Sequence, residues 1–214
     1  MGTHKKYIYD FLTRFTHAGI AGCSLLLYLT ANLAHLFYES GSLSYSFWMA
    51  HVILGHLLIF FLAIRIFWFF KGPRYSRLSN LIKIKEWKQI FLNCFQVNKN
   101  FKIKWPWGHH PLASVAYLLV FVALIILTIT GLFLTRIQFD LGIIAESYYD
   151  DMTILDSFKD PHQLASLFII NFSLVHILML LWHQRKDKLP ILQSMVTGYQ
   201  YKKPQSGESE DEDN

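Results

Sequence analysis

Ten histidines in a chain of 214 residues are the groups best suited to chemistry, and six of them lie in or at the edge of long apolar stretches: His17, His35, His51, His56, His162 and His176. In hydrocarbon, an ionisable side chain costs about 2.5 kcal/mol or more for the charged types, so such residues mark functional positions. Imidazole is the usual axial ligand of haem iron, and helix bundles build such sites from inward-facing side chains of neighbouring helices. Spacing fits that use. His162 and His176 are 14 residues apart, a rotation of about 1400°, which falls about 40° short of four turns and leaves both on one helix face about 21 Å apart along the axis. One helix with two ligands at different depths describes two stacked haems. Cys23 and Cys94 form no CxxC pair and give no support to an iron–sulfur site or a disulfide framework.

These positions require membrane helices to hold them. Hydrophobic residues make up 53% of the chain and charged residues 16%, against about 25% charge in soluble domains. A soluble enzyme and a nucleic-acid binder are excluded. Helical spans are expected over residues 15–38, 47–70, 111–136 and 162–182, each long enough for roughly 30 Å of hydrocarbon. The fold class is an all-α membrane protein, a four-helix transmembrane bundle. The first apolar stretch lacks a signal-peptide cleavage site and reads as a permanent span. Lys and Arg concentrate in residues 1–14, 71–110 and 183–203 and are scarce in the other two connections. Both termini and the 71–110 segment are therefore expected to be cytoplasmic. The outward loop from Ile137 to Pro161 is acidic. Leu78 to Phe95 reads either as an amphipathic helix on the headgroups or as a basic loop. Residues 204–214, with five acids between Glu208 and Asp213, form a disordered tail behind a di-haem domain of residues 1–203.

Depth sorts the ligands into pairs, because one iron needs two imidazoles at one level. His17 and His176 lie toward the cytoplasmic side and pair there as the inner ligands. His51 and His162 lie toward the outside and pair as the outer ligands. His35 shares the face of His17 at the outer side and competes with His51 as an alternative outer ligand. His56, about 140° round the helix from His51, faces elsewhere. Arg65 is the cation deepest in a span and lies on about the same face as His51. A haem propionate or a quinone headgroup would supply the anion it needs; snorkelling of its long side chain to the interface is the alternative.

The block His51-x3-Gly55 with Arg65-Ile66-Phe67-Trp68-Phe69-Phe70-x-Gly72-x-Arg74-Tyr75-Ser76-Arg77 resembles the second helix of the b-type cytochrome subunit of membrane-bound nickel–iron hydrogenases. Gly108-His109-His110-Pro111-Leu112, Thr130-Gly131, the pair His162 and His176, and Ser194-Met195-Val196-Thr197-Gly198-Tyr199 are similar to that family too. The four-histidine pattern alone is shared with the wider bacterial di-haem cytochrome b superfamily, which includes quinol-oxidising cytochromes and subunits of other dehydrogenases. The resemblance implies an inner-membrane protein with two b haems ligated by His17, His51, His162 and His176. It also implies electron entry from a periplasmic iron–sulfur or cytochrome subunit, typically the hydrogenase small subunit, and exit from the inner haem to menaquinone or ubiquinone. His109 is then a quinone-site residue or an inner-haem neighbour, with an ordinary interfacial histidine as its alternative. His109, His110 and His183 are candidates to supply protons for quinone reduction. The rival readings are a stand-alone quinol-oxidising cytochrome, a membrane subunit of another dehydrogenase or reductase, and a transporter that uses histidines as a proton relay.

Overall fold

The computed structural model describes residues 4–82, 87–88, 111–139, 141 and 152–202. Four long helices dominate these residues: α1 (Phe11–Leu36), α2 (Gly41–Lys71), α3 (Pro111–Phe139) and α4 (Met152–Asp187). All four are long and apolar enough to cross a membrane. His109, the tail from residue 204, and most of the Leu78–Phe95 segment beyond a helical turn at Leu78–Leu81 lie outside the described residues.

Local sequence sets the helix ends. Asp10 caps α1: its Oδ1 accepts the Thr13 backbone N–H at 3.0 Å, which satisfies one of the donors a helix start leaves without a partner. At the far end of α2, Gly72 closes the last turn by donating its N–H to the Trp68 carbonyl at 2.8 Å, and Pro73 cannot extend the helix. The fourth helix differs from expectation. It begins at Met152, ten residues ahead of His162, and runs through Pro161. Proline removes one backbone donor from a helix interior, yet membrane helices tolerate that loss where neighbouring groups compensate. Asp156 and Asp160, expected in the outward loop, are therefore helical.

The helices pack as two hairpins, α1 with α2 and α3 with α4, each joined along its length, while the hairpins meet each other at few points. The connection Phe37–Ser40 is too short for anything but antiparallel neighbours. Ser44 Oγ donates to the Ala34 carbonyl at 2.9 Å, hooking α2 onto α1. Gly19 allows close approach: a Cβ there would sit 2.5 Å from the Phe61 ring, as expected where small residues let membrane helices touch. In the second hairpin, Phe133 and Phe158 stack with centroids 4.3 Å apart. Leu58, Leu62 and Phe69 of α2 join Phe121 and Leu124 of α3 in the buried core, along with Cys23, Ala165 and Ile169. Large apolar residues such as Ile53, Phe60, Leu164 and Leu174 point outward, as a lipid-facing surface requires.

The sequence reading did not anticipate a small antiparallel ribbon, in which β1 (His4–Tyr7) pairs with β2 (Tyr199–Lys202) in the register Tyr7 opposite Tyr199. The Gly198 carbonyl accepts the N–H groups of Ile8 and Tyr9 at 2.9 and 3.1 Å. Gly198 itself has φ +86°, a left-handed conformation natural to glycine. The ribbon places both ends of the described chain at one end of the bundle, as an even number of crossings demands.

Candidate functional site

His51 stands on α2 and His162 on α4, ten residues or so into each helix from the end opposite the ribbon. Their rings meet between the hairpins with centroids 6.4 Å apart and planes 62° from parallel. A metal–imidazole bond measures about 2.0–2.1 Å, so two imidazoles on opposite sides of one metal have centroids about 6 Å apart. The observed gap suits one shared metal.

Each ring is also held in the orientation that ligation needs. His51 Nδ1 lies 3.0 Å from the Leu27 carbonyl of α1, with Thr30 Oγ1 at 3.4 Å. A carbonyl can only accept, so Nδ1 carries the proton and Nε2 keeps its lone pair. His162 Nδ1 lies 2.9 Å from Thr130 Oγ1 of α3. Thr130 donates its own hydroxyl hydrogen to the Ile126 carbonyl at 2.6 Å, so it must accept from His162, and Nε2 is again left with its lone pair. Fixing the tautomer through the far nitrogen is the usual support for a metal-bound imidazole. Gly131 leaves room for the ring: a Cβ there would lie 3.3 Å from His162 Cε1. Among the described residues no three His, Cys, Asp or Glu side chains cluster as a metal cage. Two imidazoles alone suit an iron whose other ligands come from a macrocycle, and the site therefore fits haem.

The second expected pair is less tightly drawn. His17 on α1 is half-buried and lies near His176 on α4 and Arg65 on α2, while His176 itself is exposed. The ring of His176 stacks on Phe172 with centroids 5.8 Å apart and planes 11° from parallel. His35 is exposed and packs edge-on against Trp48, whose ring in turn meets His51 at 5.7 Å. His56 is exposed, its Nδ1 on the Val52 carbonyl of its own helix at 2.8 Å. His183 pairs with Asp187 at 3.4 Å.

Arg65 is only 3% exposed, which corrects the snorkelling alternative. The reason is a set of partners reachable only in three dimensions. Its Nε donates to Tyr117 Oη and its Nη1 to Thr13 Oγ1, both at 2.9 Å. Its guanidinium also lies 4.9 Å from the Phe69 ring centroid, a cation–π contact strengthened by loss of water. Beyond Thr13 sits a carboxylate. Asp10 Oδ2 accepts the hydroxyls of Thr13 at 2.7 Å and Ser76 at 2.5 Å, while Oδ1 accepts Trp68 Nε1 at 2.9 Å. Burial pushes the Asp10 carboxyl up, but the hydrogen bonds from Ser76, Thr13 and Trp68 outweigh it and hold the group below its usual value of 3.8. Sequence reasoning missed this cluster and Thr30, and it singled out Thr130 only as part of the Thr130-Gly131 resemblance, not as an anchor for His162; a threonine or an N-cap aspartate in an apolar setting was the available signal.

An apolar four-helix bundle with paired imidazoles anchored between its hairpins defines a membrane haem protein. Residues 8–198 match the prokaryotic cytochrome b561 family, and the chain belongs to that family. It is thus a multi-pass protein of the bacterial inner membrane that binds b-type haem and carries electrons across the bilayer. No curated protein and no solved structure matches the chain.

Proposed function

We propose that the protein is the membrane subunit of a nickel–iron hydrogenase complex, passing electrons from a periplasmic partner through two b haems to menaquinone or ubiquinone. The observation that carries the haem reading is the His51–His162 pair, 6.4 Å apart and anchored at both Nδ1 atoms. His51 and His162 hold the outer haem. His17 and His176 hold the inner one, and Arg65 belongs to its surroundings. When bound, the haems supply reversible one-electron chemistry. The chain's residues position them between the hairpins, exclude water with apolar walls, and keep each ligand in its coordinating tautomer. The ribbon end is cytoplasmic, supported by Lys and Arg in the adjoining segments. His109 serves the quinone site near that end, while the hydrogenase small subunit docks at the opposite end. The hydrogenase assignment is supported by the resemblance of the second helix and by the family's label, which couples it with nickel hydrogenases.

Haem content tests the core. Purified protein should carry two b haems per chain. His51→Ala and His162→Ala should each lose one haem, His17→Ala and His176→Ala the other. A stoichiometry of one, or a variant set that all strips the same haem, overturns the two-site reading. Co-purification with a hydrogenase small subunit, and hydrogen-dependent quinone reduction by the complex, test the partner. Co-purification with a different dehydrogenase instead refutes it.

A further inference from the structure

The Asp10–Thr13–Arg65–Tyr117 cluster spans three helices and includes a side chain whose burial has a cost. Arg65 is 3% exposed and Thr13 4%, and Ser76 brings in the turn that follows α2. Replacing a whole buried charged set by apolar residues of similar volume is often neutral or even stabilising, so stability alone does not require a cation there. Its location supplies a reason.

Thr13 and His17 are four residues apart on α1, so they stack on one face with one turn between them. Arg65 donates to Thr13 at 2.9 Å. Its positive charge is thus held one turn from the proposed inner ligand. Asp10 lies on the other side of Thr13 and accepts four hydrogen bonds, from the Thr13 N–H and hydroxyl, Ser76 and Trp68. That fills the capacity of a carboxylate and keeps it ionised. The two charges do not touch; the Thr13 hydroxyl, accepting from Arg65 and donating to Asp10, joins them. The cation stands toward His17 and the anion stands toward the helix start.

We propose that Arg65, held by Thr13 and Tyr117 and partly offset by Asp10, is the positioning residue that sets the reduction potential of the inner haem. This rests on the assignment of His17 to that haem. Adding one electron to the iron, ferric to ferrous, lowers the local charge by one with no atoms exchanged. A fixed cation nearby favours that step, and a fixed anion opposes it. Thr13 and Tyr117 keep the guanidinium from swinging to the interface, so its field is constant. A unit charge one turn and one hydrogen bond away, roughly 10 Å, at an effective dielectric constant of about 20, shifts a one-electron equilibrium by about tenfold.

Spectroscopic redox titration of the purified full chain, with dithionite as reductant and ferricyanide as oxidant, tests this without any turnover assay. Arg65→Met should make reduction of one haem about tenfold less favourable, a fall of about 59 mV, and leave the other within threefold. Arg65→Lys should recover most of the shift. Asp10→Asn, which retains helix capping ability, should move the same haem in the opposite direction and by less. His17→Ala identifies which haem is concerned by removing it. The proposal is overturned if Arg65→Met retains both haems and moves neither, if both move equally, or if Asp10→Asn shifts the haem in the same direction as Arg65→Met. Should Arg65→Met not accumulate, Asp10→Asn and Arg65→Lys decide alone: no opposite shift in the first sinks it. If His17→Ala removes no haem, the site assignment itself has failed, independently of the Arg65 result.

Discussion

The anchoring of the two proposed outer ligands makes an ordered prediction. Thr130→Val keeps shape but deletes the acceptor that lies 2.9 Å from His162 Nδ1. A hydrogen bond at that nitrogen makes the imidazole a more basic ligand, which favours the oxidised iron. Deleting it should therefore raise the potential of the outer haem. A net hydrogen bond contributes about 0.5–1.5 kcal/mol, and if all of it is lost in the oxidised form alone, the rise is about 20–65 mV for one electron. The lower end is the better expectation, because the Leu127 carbonyl also interacts with His162 and can take up part of the donor. Thr30→Val should do less. Thr30 Oγ1 is 3.4 Å from His51 Nδ1, whereas the Leu27 carbonyl at 3.0 Å carries the bond and survives the substitution; N–H···O bonds weaken beyond about 3.2 Å. The assay is potentiometric titration with absorbance detection, with circular dichroism to show that helix content is unchanged. A larger effect from Thr30→Val than from Thr130→Val, or a fall in potential with either, refutes the assignment of Nδ1 as the donor.

Three further outcomes follow from local geometry. Gly131→Val should cost the outer haem and spare the inner one, because even the first carbon added there lies 3.3 Å from His162 Cε1; two haems retained per chain would refute the close fit. Gly198→Ala should detach the terminal ribbon, since its φ of +86° costs an L-residue about 1–2 kcal/mol and the new Cβ would meet Tyr7 Cε2 at 2.5 Å. Faster proteolysis of the N-terminus with an unchanged haem spectrum is the expected reading. Tyr9 is pushed up to about 12 from 10.0, first by burial and then by Tyr117. A raised folded pKa means its contribution is intact below pH 10 and is lost as pH climbs from 10 toward 12. Tyr9→Phe should therefore flatten the alkaline stability profile in that window, and an unchanged profile would count against the burial of the phenol.

The four crossings and the pairing of His51 and His162 could be read from the chain because both depend on properties that repeat along it. Apolar runs of membrane length mark the helices, and a depth argument needs only the positions of histidines within them. The start of the fourth helix was not legible: Pro161 reads locally as a boundary, and only neighbouring helices make it tolerable. Nor was Arg65. Its acceptors, Thr13 and Tyr117, are each 52 residues away, on α1 and α3. The ribbon was hidden for a similar reason, since neither strand has a partner until the hairpins bring the chain ends together.

The ligand anchors show a deeper limit. Each hairpin places its histidine on the second helix and holds that ring from the first: Leu27 and Thr30 of α1 for His51, Leu127 and Thr130 of α3 for His162. The two threonines even bond backward in the same way, to Leu26 and Leu27 in one hairpin and to Ile126 and Leu127 in the other. That draws a carbonyl and a hydroxyl together at one level. Yet the carbonyl belongs to the backbone, so any side chain at Leu27 could accompany it, and sequence self-comparison finds no repeat there. What the two hairpins share is a position on a helix face that delivers an acceptor to Nδ1. Substituting Leu27 should therefore leave the His51 anchor intact wherever packing survives, whereas moving the helix face by one residue should destroy it.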